Sequence, residues 1–160
     1  ELIAILDSAD LHSVCRIFPQ GDRIVACGPS GCSIYSADSG LRHGHEFGDS
    51  VAELELFPSG KSMLTWSPYR WPATVWRENG TEICRLNLGG RHSVSDQGLR
   101  VVSVFPQGDR VITGGSRGLV VVWNATTCEQ MVEFSDRRNV GLFSDLRGLA
   151  VLGSGSRVAT

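Results

Sequence analysis

The residues able to do chemistry in this 160-residue chain are few and dispersed. An active site needs a convergent set: a nucleophile with its base, paired carboxylates, or metal ligands. The four histidines, His12, His43, His45 and His92, fall in separate stretches, and His43-x-His45 has no third ligand beside it. The five cysteines, Cys15, Cys27, Cys32, Cys84 and Cys128, are odd in number and form no C-x-x-C pair. That pattern speaks against a disulfide framework and against a zinc site. It reads as buried free thiols in a reducing compartment. Cys27 and Cys32 flank a short turn, however, and can face each other across a hairpin, so a cross-strand disulfide stands as the alternative. Gly114-Gly115 and the glycines at 153 and 155 lack the lysine and the following helix of a phosphate loop and read as turns. Asn79-Gly80-Thr81 and Asn124-Ala125-Thr126 fit the N-glycosylation acceptor, which matters only in a secreted protein. No catalytic residue, metal or cofactor is expected.

Composition narrows the class. With 41% apolar, 8% aromatic and 20% charged residues, the chain is neither disordered, collagenous nor a coiled coil. Its longest apolar stretch, around Leu119 to Trp123, is far short of the ~20 residues a membrane helix needs. Fifteen Lys and Arg against seventeen Asp and Glu leave a net charge of −2, so no global field draws it to nucleic acid or to a membrane. Lys61 is the single lysine among these cations. The arginine excess suits planar, bidentate recognition, and coding bias accounts for it equally well. The expected location is the cytoplasm.

The elements that carry these residues repeat. Phe18-Pro19-Gln20-Gly21-Asp22-Arg23, Phe57-Pro58-Ser59-Gly60-Lys61 and Phe105-Pro106-Gln107-Gly108-Asp109-Arg110 are copies of one motif, and Leu152-Gly153-Ser154-Gly155-Ser156-Arg157 is a degraded fourth. The anchors Phe18, Phe57, Phe105 and Leu152 lie 39, 48 and 47 residues apart. Alternating apolar residues lead into each anchor, the period of a strand. Pro-x-Gly then makes a turn. A second strand follows (23–27, 62–66, 110–113), then a glycine-bearing turn in the first and third repeats (28–31, 114–118). A β-branched third strand ends in Tyr35, Trp76 or Trp123. Polar turns lead to a fourth strand (41–47, 81–88, 129–134). No stretch carries a helical apolar period. The chain is all-β, with four strands per unit, and a unit recurring at roughly 40 to 45 residues is the signature of a propeller blade.

The motif F-P-x-G-x-x-[VI]-[VI]-T-G-G followed by V-V-V-W-N, with Trp123-Asn124 where Trp-Asp is usual, resembles the WD-repeat propellers. Tyr35-Ser36 and Trp76-Arg77 are weaker copies of that dipeptide. Gly44-His45 resembles the family's Gly-His pair before a blade, and His92 is a second candidate. The resemblance implies an all-β propeller of four-stranded antiparallel blades. Here they are expected to form an incomplete, open ring: the last strand of a preceding blade at 1–6, blades at 12–47, 51–88 and 99–134, and a truncated blade at 148–160. It also implies structural roles for Phe18, Gly21, Tyr35, Phe57, Gly60, Trp76, Phe105, Gly108, Thr113 and Trp123. The family's polar cluster lacks its acid, because Arg117 and Ser30 stand where Asp is expected; Thr113 and Trp123 remain as a partial set.

Two surface features follow. Counting two back from each anchor gives Arg16, Glu55, Ser103 and Ala150, neighbours on adjacent innermost strands in a propeller. Arg16 is expected to pair with Glu55, unless Glu55 simply faces channel water. Between the second and third strands of repeat two lies Trp66-Ser67-Pro68-Tyr69-Arg70-Trp71-Pro72, read as a rigid insertion rich in the residue types of interface hot spots. Trp66 and Trp71 can instead plug a gap between blades. The resemblance puts this loop on one face with the loops between blades, so Tyr69, Arg70, Trp71, Arg91, Arg137 and Arg138 are the candidate partner-binding residues. The expected function is a non-catalytic protein–protein interaction scaffold, bound to other proteins or peptides and to the remaining blades of its ring. The alternative is a sensor or regulatory propeller segment of a larger enzyme or signalling ATPase or kinase chain.

Overall fold

The computed structural model describes residues 14–68, 70–87, 98–115, 119–135, 150–152 and 157–159; of residues 70, 71, 135, 150–152 and 157–159 it describes the backbone alone. No helix occurs among the described residues. Twelve strands form three four-stranded antiparallel sheets in which neighbours in sequence are neighbours in space. The first holds β1 (Val14–Ile17), β2 (Arg23–Gly28), β3 (Gly31–Ser36) and β4 (Arg42–Phe47). The second holds β5 (Glu53–Leu56), β6 (Ser62–Ser67), β7 (Arg70–Arg77) and β8 (Glu82–Leu86), and the third holds β9 (Leu99–Val104), β10 (Arg110–Gly115), β11 (Leu119–Asn124) and β12 (Gln130–Ser135). A two-stranded sheet of β13 (Ala150–Leu152) and β14 (Arg157–Ala159) follows. The chain divides into two compact units, Glu1–Ser67 with Thr74–Ile83, and Pro68–Ala73 with Cys84–Thr160.

The Phe-Pro-x-Gly motif builds the same turn three times. Gly21, Gly60 and Gly108 have φ of 78°, 68° and 73°, where a side chain is strained and glycine is not. Their N–H groups donate to the carbonyls of Phe18, Phe57 and Phe105 at 2.8, 2.9 and 2.8 Å. Each Phe in turn donates its own N–H to the residue that opens the next strand, Arg23, Ser62 or Arg110, at 2.9 to 3.1 Å. The three rings are 1–2% exposed, burial worth roughly 1.5–3 kcal/mol apiece.

Within the first unit, the first sheet presents Phe18, Val25, Cys27, Cys32 and Ile34 to Val51, Leu54, Met63 and Trp76 of the second, one continuous apolar cluster. A single four-stranded sheet cannot cover its own face, and this stacking is how it is covered. Phe47 closes the edge: its ring meets Trp76 at 5.1 Å and fills the space where a Cβ on Gly80 would lie. In the second unit, Phe105, Ile112, Val120 and Val122 form the matching cluster.

Three expectations are corrected. Trp66 to Pro72 is not a loop insertion, because β6 runs to Ser67 and β7 resumes at Arg70. The reason is backbone pairing: Trp66 lies opposite Glu53 on β5, and its carbonyl accepts the Ala52 N–H at 3.2 Å. Gly44-His45 lies inside β4 instead of ahead of a blade. Gly44 has φ of 71° where the β3–β4 register shifts, so it makes a bulge. Four of the five cysteines are not free. Cys27–Cys32 and Cys84–Cys128 are disulfides, with S–S distances of 2.04 and 2.02 Å. Cys27 and Cys32 are directly paired across the β2–β3 hairpin with Cα atoms 4.0 Å apart, the alternative arrangement raised by their spacing. Cys84 and Cys128 are 44 residues apart and meet only because β8 and the turn before β12 come together in the second unit.

Candidate functional site

Strand connectivity gives each sheet two unlike ends. One end carries the Phe-Pro-x-Gly turn and the turn between the third and fourth strands. Those two turns are stitched to each other in each of the three four-stranded sheets: Ala37 N–H donates to Asp22 O at 2.8 Å, Glu78 N–H to Lys61 O at 3.0 Å, and Ala125 N–H to Asp109 O at 3.0 Å. Side chains reinforce this end. Arg23 lies over the Phe18 ring at 4.7 Å and donates to Glu78 at 3.1 Å, and Arg110 lies over Phe105 at 4.3 Å. Gln20 Nε2 donates to the Ser59 carbonyl at 3.2 Å, turn to turn.

The opposite end carries the connection between the second and third strands and, in the first sheet, the crossover that leaves the fourth. At the described crossover, residues 48–52, Gly48 and the non-glycine Ser50 both have positive φ, of 73° and 47°. Val51 N–H donates to Gly28 O at 3.0 Å, and the Ser67 hydroxyl donates to the Ser50 carbonyl. Trp66 is half-buried beside it. Of the candidate binding residues, Tyr69, Arg91, Arg137 and Arg138 lie outside the described residues, as does His92. Arg70 and Trp71 are described only as β7 backbone. The strand expected at 1–6 lies outside the described residues as well.

Two polar pairs brace the interiors. Trp76 Nε1–H donates to Thr65 Oγ1 at 2.8 Å, and Trp123 Nε1–H donates to Thr113 Oγ1 at 2.8 Å. The second pair is the partial set expected from Thr113 and Trp123. Thr65 escaped sequence reading, although it stands eight residues beyond Phe57 as Thr113 stands eight beyond Phe105. In the first sheet that place holds Ala26, the third strand ends in Tyr35, and the Cys27–Cys32 disulfide ties the same hairpin. Glu78 and Arg23 also escaped; the signal available was the repeated Arg five residues after Phe18 and Phe105. β1 lies beside β5, which brings the Arg16 and Glu55 positions onto adjacent strands, and the Arg16 guanidinium donates to the Cys15 carbonyl at 2.9 Å.

Among the described residues no three His, Cys, Asp or Glu side chains gather as a metal site. The free, exposed Cys15 has its thiol pushed above the ordinary value by desolvation, partly offset by the Arg16 charge.

Comparison with known proteins bears on the fold. No protein-family model matches the sequence, and no curated protein does. Among solved structures, the crystal structure of the Myceliophteria thermophila Cps50 (Swd1) beta-propeller domain superposes with a TM-score of 0.69 at 14% identity, over 92% of this chain and 47% of that one. The chain has a β-propeller fold, and it spans about half the length of the propeller it matches. The resemblance read from Phe-Pro-x-Gly and Trp123-Asn124 is borne out at the level of the fold.

Proposed function

We propose that this chain is part of a non-catalytic protein–protein interaction scaffold, binding protein or peptide partners rather than nucleic acid or membrane. The observation that carries the reading is the stitched framework: the same turn and the same inter-turn hydrogen bond recur in all three sheets, so the connections at the far end spring from fixed strand ends. A loop held in this way loses little ordering entropy when a partner docks. The residues that would make contact are Tyr69 in the β6–β7 connection, Arg70 and Trp71 at the start of β7, Arg91 in the β8–β9 connection, and Arg137 and Arg138 after β12. Tyr, Trp and Arg are the side chains that dominate interface energetics.

Photo-crosslinking tests the proposal. A photoreactive amino acid at position 69, 91 or 137 is expected to trap the same partner, and one at Ser39, exposed at the stitched end, is not. Replacing Tyr69, Arg70 and Trp71 together by alanine should abolish the adduct while leaving thermal unfolding unchanged. Equal adducts from position 39, or loss of the fold in the triple variant, would overturn the assignment.

A further inference from the structure

The turn between β7 and β8 carries the sequence Asn79-Gly80-Thr81, an acceptor pattern that the scaffold reading does not use. Both Asn79 and Thr81 are exposed. Asn79 Oδ1 accepts the Thr81 N–H at 3.0 Å, so the acceptor side chain closes its own turn. Beneath it, Gly80 has φ of +83°, and the Phe47 ring lies 2.6 Å from where a Cβ would stand. The turn therefore rests on the Phe47 ring while Asn79 stays in solvent, where a branched sugar meets water and not the core.

A second, independent observation concerns the compartment. Two disulfides join four of the five cysteines, and Cys27 and Cys32 are fully buried within the first unit's apolar cluster. Structural disulfides form and persist where thiols are not kept reduced, which is where N-linked sugars are added. We propose that Asn79 is an N-linked glycosylation site and that the chain acquires its disulfides in the same oxidising compartment, by thiol–disulfide exchange in which each pair of thiols reduces one disulfide of an oxidised dithiol oxidoreductase.

The chemistry is a group transfer from a lipid diphosphate-linked oligosaccharide. Asn79 Nδ2 attacks the anomeric carbon, the bond from that carbon to the diphosphate oxygen breaks with its electron pair to leave the lipid diphosphate, and the proton lost from Nδ2 passes to a carboxylate base of the transferring enzyme. The second acceptor sequence, Asn124-Ala125-Thr126, is placed differently. Asn124 Oδ1 already accepts the N–H groups of Thr126 and Thr127 at 2.8 and 3.0 Å, and Ala125 is 6% exposed. Cys84 Sγ lies 3.8 Å from the Thr126 carbonyl oxygen, so that turn is packed into the Cys84–Cys128 disulfide. The glycan belongs to Asn79.

Peptide mapping of the protein from its natural source tests this, with and without peptide N-glycosidase and without reduction. The expected result is an Asn79 peptide released as aspartate only after the enzyme, together with a Cys84 peptide linked to a Cys128 peptide. Thr81→Ala should remove the glycan and its gel shift, and Thr81→Ser should retain both; each variant keeps the backbone N–H that Asn79 accepts. An unmodified Asn79 peptide, or Cys84 and Cys128 alkylated without prior reduction, overturns the proposal.

Discussion

Replacing Thr113 by valine removes one buried hydroxyl from the third sheet. Valine matches the shape of threonine, so no cavity opens; what is lost is the hydroxyl that accepts Trp123 Nε1–H at 2.8 Å and donates a longer, weaker bond to the Val121 carbonyl at 3.4 Å. Both residues are 1% exposed, so no water can replace the lost acceptor. A buried donor left without a partner costs about 1–3 kcal/mol, and ~2 kcal/mol is the expectation here. In a domain of this size that corresponds to a fall of roughly 4–8 °C in Tm. The assay is urea unfolding followed by tryptophan fluorescence and by far-ultraviolet circular dichroism, for Thr113→Val, Trp123→Phe and the double variant. A coupling energy of about 1 kcal/mol or more between the two is expected for residues in direct contact. Thr65→Val should repeat the effect through Trp76 in the second sheet. A Thr113→Val variant within ~0.5 kcal/mol of the parent, the range of an ordinary surface change, would refute the reasoning.

Other expectations follow from the same geometry. Gly31→Ala should cost at least ~3 kcal/mol, because its Cβ would stand 2.5 Å from the Gly48 carbonyl oxygen in addition to the left-handed backbone, whereas Gly21→Ala meets nothing within 4 Å and should cost only the ~1–2 kcal/mol of backbone strain; thermal melts separate them. Arg23→Lys should lower stability by about 1 kcal/mol, since lysine lacks the planar guanidinium that covers Phe18 and reaches Glu78, and Glu78→Gln should cost less than that; urea titration checks the order. Cys128→Ser should lose about 2 kcal/mol more loop-closure stabilisation than the five-residue separation of Cys27–Cys32 supplies, because it opens a separation of 44; reducing and non-reducing melts of each serine variant measure it. Alkylation of Cys15 should lag behind a free model thiol at mildly alkaline pH and catch up as pH rises, because a raised pKa delays the thiolate; a pH series of iodoacetamide labelling reads this.

The parts of the fold legible in the residues are those whose causes are local. Phe-Pro-x-Gly specifies its turn within five residues, because Pro presets one angle and Gly accepts the next, and all three turns stand where the motif places them. Alternation and β-branching locate the strands to within a residue or two at β2, β10 and β11. Where a feature depends on a partner strand, local reading misplaced it. Trp66 to Pro72 resembles a loop by composition, yet β5 recruits Trp66 into a ladder. Gly44-His45 resembles a blade entrance, yet pairing with β3 makes it a bulge. The candidate surface was legible only as a set of residue types in the connections after β6, β8 and β12.

By itself, then, the sequence determined that the chain is all-β and built of repeated four-stranded units, because periodicity and turn chemistry are properties of neighbours along the chain. The tertiary structure decided which thiols join, which hydroxyl each tryptophan reaches, and which acceptor asparagine stays in solvent. Cys84 meets Cys128 across 44 residues, Arg23 meets Glu78 across 55, and Phe47 lies under Gly80. The last two depend on the first sheet stacking upon the second. That stacking is driven by apolar faces no single repeat can bury alone.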